Sequence, residues 1–161
     1  MKALTLTQPW ATLVAIGAKK IETRSWKSDY RGPLAIHAAK KFPISAQRLC
    51  AIEPFYSILK AAGLFEPFLP LGCIIATCEL VDVRQISERK FGIPIFSLDH
   101  PRKFIQHVYV PPDEPELSFG DYTIGRYAWI LGNVEVLDQP VAIKGMLGLW
   151  EWGSPYKWTG W

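Results

Sequence analysis

The sequence predicts an α+β protein whose core is largely β, and three observations carry that prediction. Short runs rich in β-branched and aromatic residues recur along the chain, bounded by Gly and Pro. One of them, residues 72–84, is apolar on both faces, as a central strand requires. The clearest helical patterning lies in a short stretch after Thr7 and a longer one over residues 45–62.

Taken in order, residues 3–7 read as a first strand. Thr7 is placed to cap the helix after it, and Pro9 falls where a first-turn proline is tolerated. Gly17 ends that helix. Residues 20–26 and 33–40 read as strands, joined by a polar loop that closes in Arg31-Gly32-Pro33. Over residues 45–62, Ser45 is the expected cap, and Leu49, Ile52, Phe55, Tyr56 and Leu59 form the apolar face. Pro54 interrupts it, which predicts a kink or two helices. Leu64 to Leu71 is an aromatic, proline-rich connector. After the central strand, Ser87-Glu88-Arg89 predicts the start of a short helix. Pro111 to Glu116 is an acidic, proline-rich loop, expected to be solvated, with a lid as the alternative. Residues 127–137, 140–144 and 147–152 read as strands. The tail from Gly153 carries Tyr156, Trp158 and Trp161 and is expected to fold back on the domain.

The chain has 161 residues, of which 49% are hydrophobic, enough for one domain over residues 1–161 without disulfides or a cofactor. No uninterrupted apolar run reaches the roughly 18 residues of a membrane helix, and the first residues lack a long apolar signal segment. A soluble cytoplasmic protein with no membrane association is expected. Cys50, Cys73 and Cys78 are too few and too irregular for a disulfide framework. Cys73 and Cys78, five apart on one strand, should face opposite sides and act as small buried hydrophobes. His37, His100 and His107 are scattered, and His37 reads as a structural histidine. No phosphate loop, dinucleotide fingerprint, zinc spacing or nucleophile elbow is present, so neither metal nor cofactor is expected.

The informative segment is Gly17-Ala-Lys19-Lys20-Ile-Glu22-Thr-Arg24. It gathers a cation, a carboxylate and a guanidinium into a turn and the strand start that follows. In an extended segment Lys20, Glu22 and Arg24 share one face and Ile21 and Thr23 the other, while Lys19 sits at the turn, outside that parity. Such a group can bind a polar ligand or run acid–base chemistry. It would equally suit a solvated loop, where ion pairs contribute roughly 0–1 kcal/mol. The surrounding charge is uneven. Residues 19–41 hold seven basic side chains against Glu22 and Asp29, a local charge of +5 in a chain of net charge +3. Basic residues interleaved with Trp26 and Tyr30 suit phosphates and stacked bases. A second carboxylate, Glu79, is the only charge from Gly72 through Val81. Burial would raise its pKa, and Lys19 or Arg24 nearby would lower it.

The ordered set Leu4-Thr-Leu-Thr-Gln8-Pro9-Trp10, Gly17-x-Lys19-x-x-Glu22-x-Arg24, Tyr30-Arg31-Gly32-Pro33, Tyr127-Ala-Trp129-Ile-Leu131 and Gly145-x-Leu147-Gly148-Leu149-Trp150 resembles the ASCH domain family. The resemblance covers most of the chain and is weakest over residues 44–70 and 85–125. It implies a PUA-like β-barrel, or pseudobarrel, with flanking helices. It also implies binding of RNA or a modified nucleotide in a cleft that holds the Lys19, Glu22 and Arg24 segment, with Gln8, Trp10 and Trp26 as further ligand-binding candidates. Trp129 could stack on a base but reads better as core. One branch of the family resembles hydrolases that remove the acetyl group from N4-acetylcytidine, using a lysine, a threonine nucleophile and a glutamate. This chain matches the lysine at Lys19 and offers Glu79 for the glutamate, but Glu22 stands where that branch has threonine. Lys19, Glu22 and Glu79 are thus the catalytic candidates of a hydrolase alternative, acting on RNA or an N4-acylated cytidine. A third reading is a non-catalytic adaptor that recruits protein partners.

Overall fold

Strand β1 (Lys2–Leu6) buries Leu4 and Leu6 in the main core and Ala3 in a smaller cluster. Helix α1 (Trp10–Ala15) follows, then β2 (Ile21–Arg24), β3 (Gly32–Ala38), α2 (Ile44–Leu49) and α3 (Phe55–Ala61). The long β4 (Cys73–Lys90), β5 (Ile93–Phe96), β6 (Tyr127–Ala142) and β7 (Leu149–Glu151) complete the fold. The computed structural model describes residues 1–90, 92–97, 112 and 114–153. His100, His107 and the tail aromatics Tyr156, Trp158 and Trp161 lie outside the described residues, as does part of the acidic loop.

Seven strands form one mixed sheet in the order β2-β6-β4-β3-β1-β7, with β5 paired to β4. β1 runs parallel to β3, and the other neighbours are antiparallel. The sheet does not close. An open mixed sheet of seven strands with few helices is consistent with the α+β, PUA-like pseudobarrel form expected from the sequence. No helix among the described residues is long and apolar enough to cross a membrane.

Helix α1 is sandwiched between two layers. Ala11, Val14 and Ala15 face the sheet, in a core with Leu4, Leu34, Ile36, Leu80 and Trp129. Leu13 faces the other way, into a cluster with Cys50, Phe55, Leu59, Leu69 and Phe119. This second layer is why α1 is apolar nearly all round. The cap of α1 is not Thr7. Gln8 Oε1 accepts the Thr12 N–H at 3.1 Å, and Gln8 Nε2 donates to Pro70 O at 2.8 Å. At the other end Gly17 adopts φ +74°, which lets the Lys19 N–H return to Leu13 O at 2.9 Å. Pro54 separates α2 from α3, and α2 begins at Ile44, so Ser45 lies inside it rather than capping it.

Three expectations are corrected. Ser87-Glu88-Arg89 is strand, because β4 continues to pair with β5 through Arg89↔Pro94 and Lys90↔Ile93. Tertiary pairing there overrides a locally helical composition. Residues 127–142 form one strand, but the register jumps from Ala76↔Val136 to Ile74↔Val141, so the bulged stretch before Val141 absorbs Pro140. Cys73 and Cys78 do not face opposite sides. The register slip around Ile75 inverts the parity, and both join the main core as free thiols. Burial pushes the Cys78 thiol up to about 12, which leaves it inert.

On the opposite sheet face, His37 is 1% exposed and meets Trp150 edge-on at 5.8 Å. Its Nε2–H donates to Ile143 O at 3.0 Å, which assigns the tautomer. Gly145 is needed here, since a Cβ would lie 2.6 Å from His37 Nδ1 and 2.9 Å from Thr5 Oγ1. His37 Nδ1 is buried with no partner among the described residues. Burial therefore holds the His37 pKa below its usual 6.5, against the opposing pull of the Ile143 carbonyl. On acidification the unfolded chain takes up this proton first. Stability is thus expected to fall as pH drops below about 6.5, and His37→Gln to flatten that dependence. Urea denaturation at several pH values reads this out, and an equal slope in both proteins would contradict it.

Candidate functional site

The turn after α1 delivers Lys19 to the interior, where its side chain is 0% exposed. Its Nζ donates to Ile21 O at 2.5 Å and to Phe119 O at 3.0 Å. Two carboxylates stand at 3.8 Å, Glu22 Oε2 and Glu116 Oε1. Burial drives the Lys19 pKa down, and the two carboxylates oppose it. Burial likewise raises Glu116, against the N–H groups of Lys20 and Ile21, Lys19 and the Tyr122 hydroxyl. Lys19 therefore acts as a tether under the site rather than as a group presented to a ligand.

Above it opens a cleft of about 370 Å³, within the usual range for small-molecule sites. Trp10, Leu49 and Phe55 form one wall, Ser118 to Asp121 the other, and Glu22 and Thr23 the floor. The rings are mutually fixed: Trp10 meets Phe55 at 6.3 Å and 89°, and Phe55 meets Phe119 at 5.0 Å and 69°. Glu22 is 8% exposed, with Arg24 Nη1 at 3.5 Å from its Oε1. Thr23 points to the other face of β2, yet it also reaches the cleft. β2 is the end strand of the sheet, and the segment from Ser118 to Asp121 folds around that edge. The Asp121 N–H donates to Thr23 Oγ1 at 3.0 Å, and Arg126 Nη2 donates to Thr23 O at 3.2 Å.

Of the residues expected at the site, Trp10 and Glu22 line the cleft and Lys19 lies beneath it. Arg24 stands behind Glu22, with Nη2 donating to Thr5 O at 3.5 Å. Gln8 is corrected: it is fully buried, with its amide used at both ends in the α1 entry. Trp26 is not among the residues that line the cleft. It packs edge-on against Trp129 at 4.6 Å and accepts the indole N–H of Trp129 on its carbonyl, so both rings belong to the core side. Glu79 lies elsewhere: its register partners are Pro33 and Gly132, and Asn133 Nδ2 donates to its carboxylate at 3.0 Å. Asn133 adopts φ +50° at a bulge of β6, and Glu79 braces it. Four lysines of the basic segment, Lys20, Lys27, Lys40 and Lys41, are exposed, whereas Arg31 is tied to Asp82 at 3.1 Å.

Sequence reasoning missed Glu116, Phe119 and the wall they belong to. Their partners are about a hundred positions away, and no local spacing marks them. Among the described residues no cluster of His, Cys, Asp and Glu could hold a metal ion.

A model of the ASCH domain matches residues 4–107. Activating signal cointegrator 1 from Homo sapiens is 32% identical over 103 residues, which cover 63% of this chain and 18% of that protein. The protein of the same name from Mus musculus is 35% identical over the same lengths. The matched part thus spans about a fifth of those relatives. Glu116 and the wall from Ser118 to Asp121 fall beyond the matched region.

Removing Lys19 takes the buried ammonium from between two nearly buried carboxylates. Lys19→Ala is expected to lower stability by about 3–5 kcal/mol, the usual result of breaking a buried pair from one side. Chemical denaturation measures it. A loss under about 1 kcal/mol, as for surface ion pairs, would show that the ammonium tethers nothing.

Proposed function

Because the chain belongs to the ASCH domain family, we propose that it binds RNA or a modified nucleotide, with one base in the cleft above Lys19. One observation carries the proposal: Glu22, a nearly buried carboxylate, forms the floor between aromatic side chains, with Arg24 held against it. Trp10 and Phe55 offer apolar surface on which a flat ring can stack. Glu22 accepts from an exocyclic amine, as carboxylates do from cytosine N4. Lys20, Lys27, Lys40 and Lys41, exposed on the basic segment, supply charge for the phosphates.

The two contributions separate by experiment. Affinity for short single-stranded RNA should fall steeply with salt. Glu22→Gln should weaken binding to amino-bearing bases about tenfold, the value of one good base contact, and leave the salt slope alone. Fluorescence anisotropy across a salt series measures both. Salt-independent affinity would instead favour a protein-recruiting adaptor.

Hydrolysis is a second reading, favoured by the position of Thr23 beside Glu22 on the cleft floor. In that reading Glu22 takes a proton from water, which adds to the acyl carbonyl of an N4-acylated cytidine, and the amine leaves protonated. Mass spectrometry of N4-acetylcytidine incubated with the protein should then show cytidine and acetate, lost in Glu22→Gln and reduced in Thr23→Ala. Intact substrate throughout leaves the binding reading alone.

A further inference from the structure

One carboxylate from beyond the family-matched region holds a whole wall of the cleft. Glu116, 96 positions from Lys20, accepts the Lys20 N–H on Oε2 at 2.6 Å. Its Oε1 accepts the Ile21 N–H and the Tyr122 hydroxyl, each at 3.3 Å. Two further ties follow along the same segment, Phe119 O to Lys19 Nζ and the Asp121 N–H to Thr23 Oγ1. Gly120 sits between them with no room to spare, since a Cβ would lie 2.7 Å from Tyr122 Cε2 and 3.2 Å from Thr23 Cγ2. The segment is therefore tied to β2 and the turn before it at three points, Glu116, Phe119 and Asp121.

We propose that Glu116 is a positioning residue for base recognition, and that the stretch from Ser118 to Asp121 which it seats determines which base the cleft admits. This rests on the reading of the cleft as a base-binding site. The coupling is physical. Glu22 is one residue along β2 from Ile21, whose N–H Glu116 holds. Lys19, which faces the Glu22 carboxylate, is itself fixed by Phe119 O. Releasing Glu116 moves the acceptor and the opposite wall together. An amide in its place cannot accept both main-chain N–H groups, because one of its two atoms is itself a donor.

The test compares the whole chain with Glu116→Gln, Ser118→Leu and Glu22→Gln. Dissociation constants are measured at fixed salt for short RNA oligonucleotides that differ only in the central base. The parent is expected to prefer one class of base. Glu116→Gln should flatten that preference by about tenfold, as loss of a buried charge-assisted hydrogen bond does, while its circular dichroism and salt slope stay those of the parent. Ser118 is exposed, so Ser118→Leu should fold, narrow the cleft and penalise purines more than pyrimidines. Parent-like preferences in both variants would overturn the proposal and leave the base-binding reading intact. A parent without base preference, or one indifferent to Glu22→Gln, would overturn that reading and this proposal with it. If Glu116→Gln fails to fold, Ser118→Leu decides alone.

Discussion

The buried ammonium of Lys19 is the constraint on which the rest of the site depends. A fully desolvated charge is costly unless surrounded by acceptors, and here two carbonyls and two carboxylates surround it. Those acceptors come from distant parts of the chain: Ile21 and Glu22 from β2, and Glu116 and Phe119 from the segment before β6. Satisfying one lysine therefore draws the α1–β2 turn and the 116–119 turn together. The cleft is the space left above that junction. The same requirement explains the turn chemistry, since Gly17 must reverse the chain immediately for Lys19 to point inward.

The cleft and the basic segment beside it present two kinds of surface. The cleft interior offers aromatic rings and a carboxylate whose direction is fixed by cations on either side, Lys19 at 3.8 Å and Arg24 at 3.5 Å. Little rotamer freedom remains in it to be lost on binding, so a ligand meets a prepared acceptor. The exposed lysines of the basic segment are different: long, solvated and tolerant of register, they suit a backbone whose position is not critical. A preorganised interior and a solvated basic exterior are what the proposed base-binding reading requires.

Much of the fold was legible in the sequence, because the features that set it are local. Gly17 ended α1, Pro54 split the helical segment, and the apolar run from Cys73 predicted the central strand. The errors share one cause. Residues 87–89 look helical by themselves and become strand only because Ile93 to Phe96 returns to pair with them. Cys73 and Cys78 change sides because of a bulge that no residue type announces. Around the cleft, the proximity of Lys19, Glu22 and Arg24 was legible from spacing within one octapeptide, and Trp10 lies on its flank. Gln8 and Trp26 look functional because polar and aromatic residues near a motif do, yet the Gln8 amide is used at both ends inside the core and the Trp26 ring packs against Trp129. Glu116 was read as a solvated acid because its neighbours are prolines and acids. Its role exists only in three dimensions, where it meets main-chain N–H groups from the other half of the molecule.

The position of β2 at the end of the sheet has a consequence beyond recognition. A terminal strand offers unpaired main-chain groups that another extended chain can add to, which is a common route to self-association. Glu116 occupies two N–H groups where β2 begins, and Thr23 holds the following segment across the same edge. At the other end of the sheet, β7 has only three residues, too short to template a partner. The segment from Glu116 to Asp121 thus also covers the β2 flank along which a second strand could dock, so its loss would alter solubility as well as the shape of the cleft.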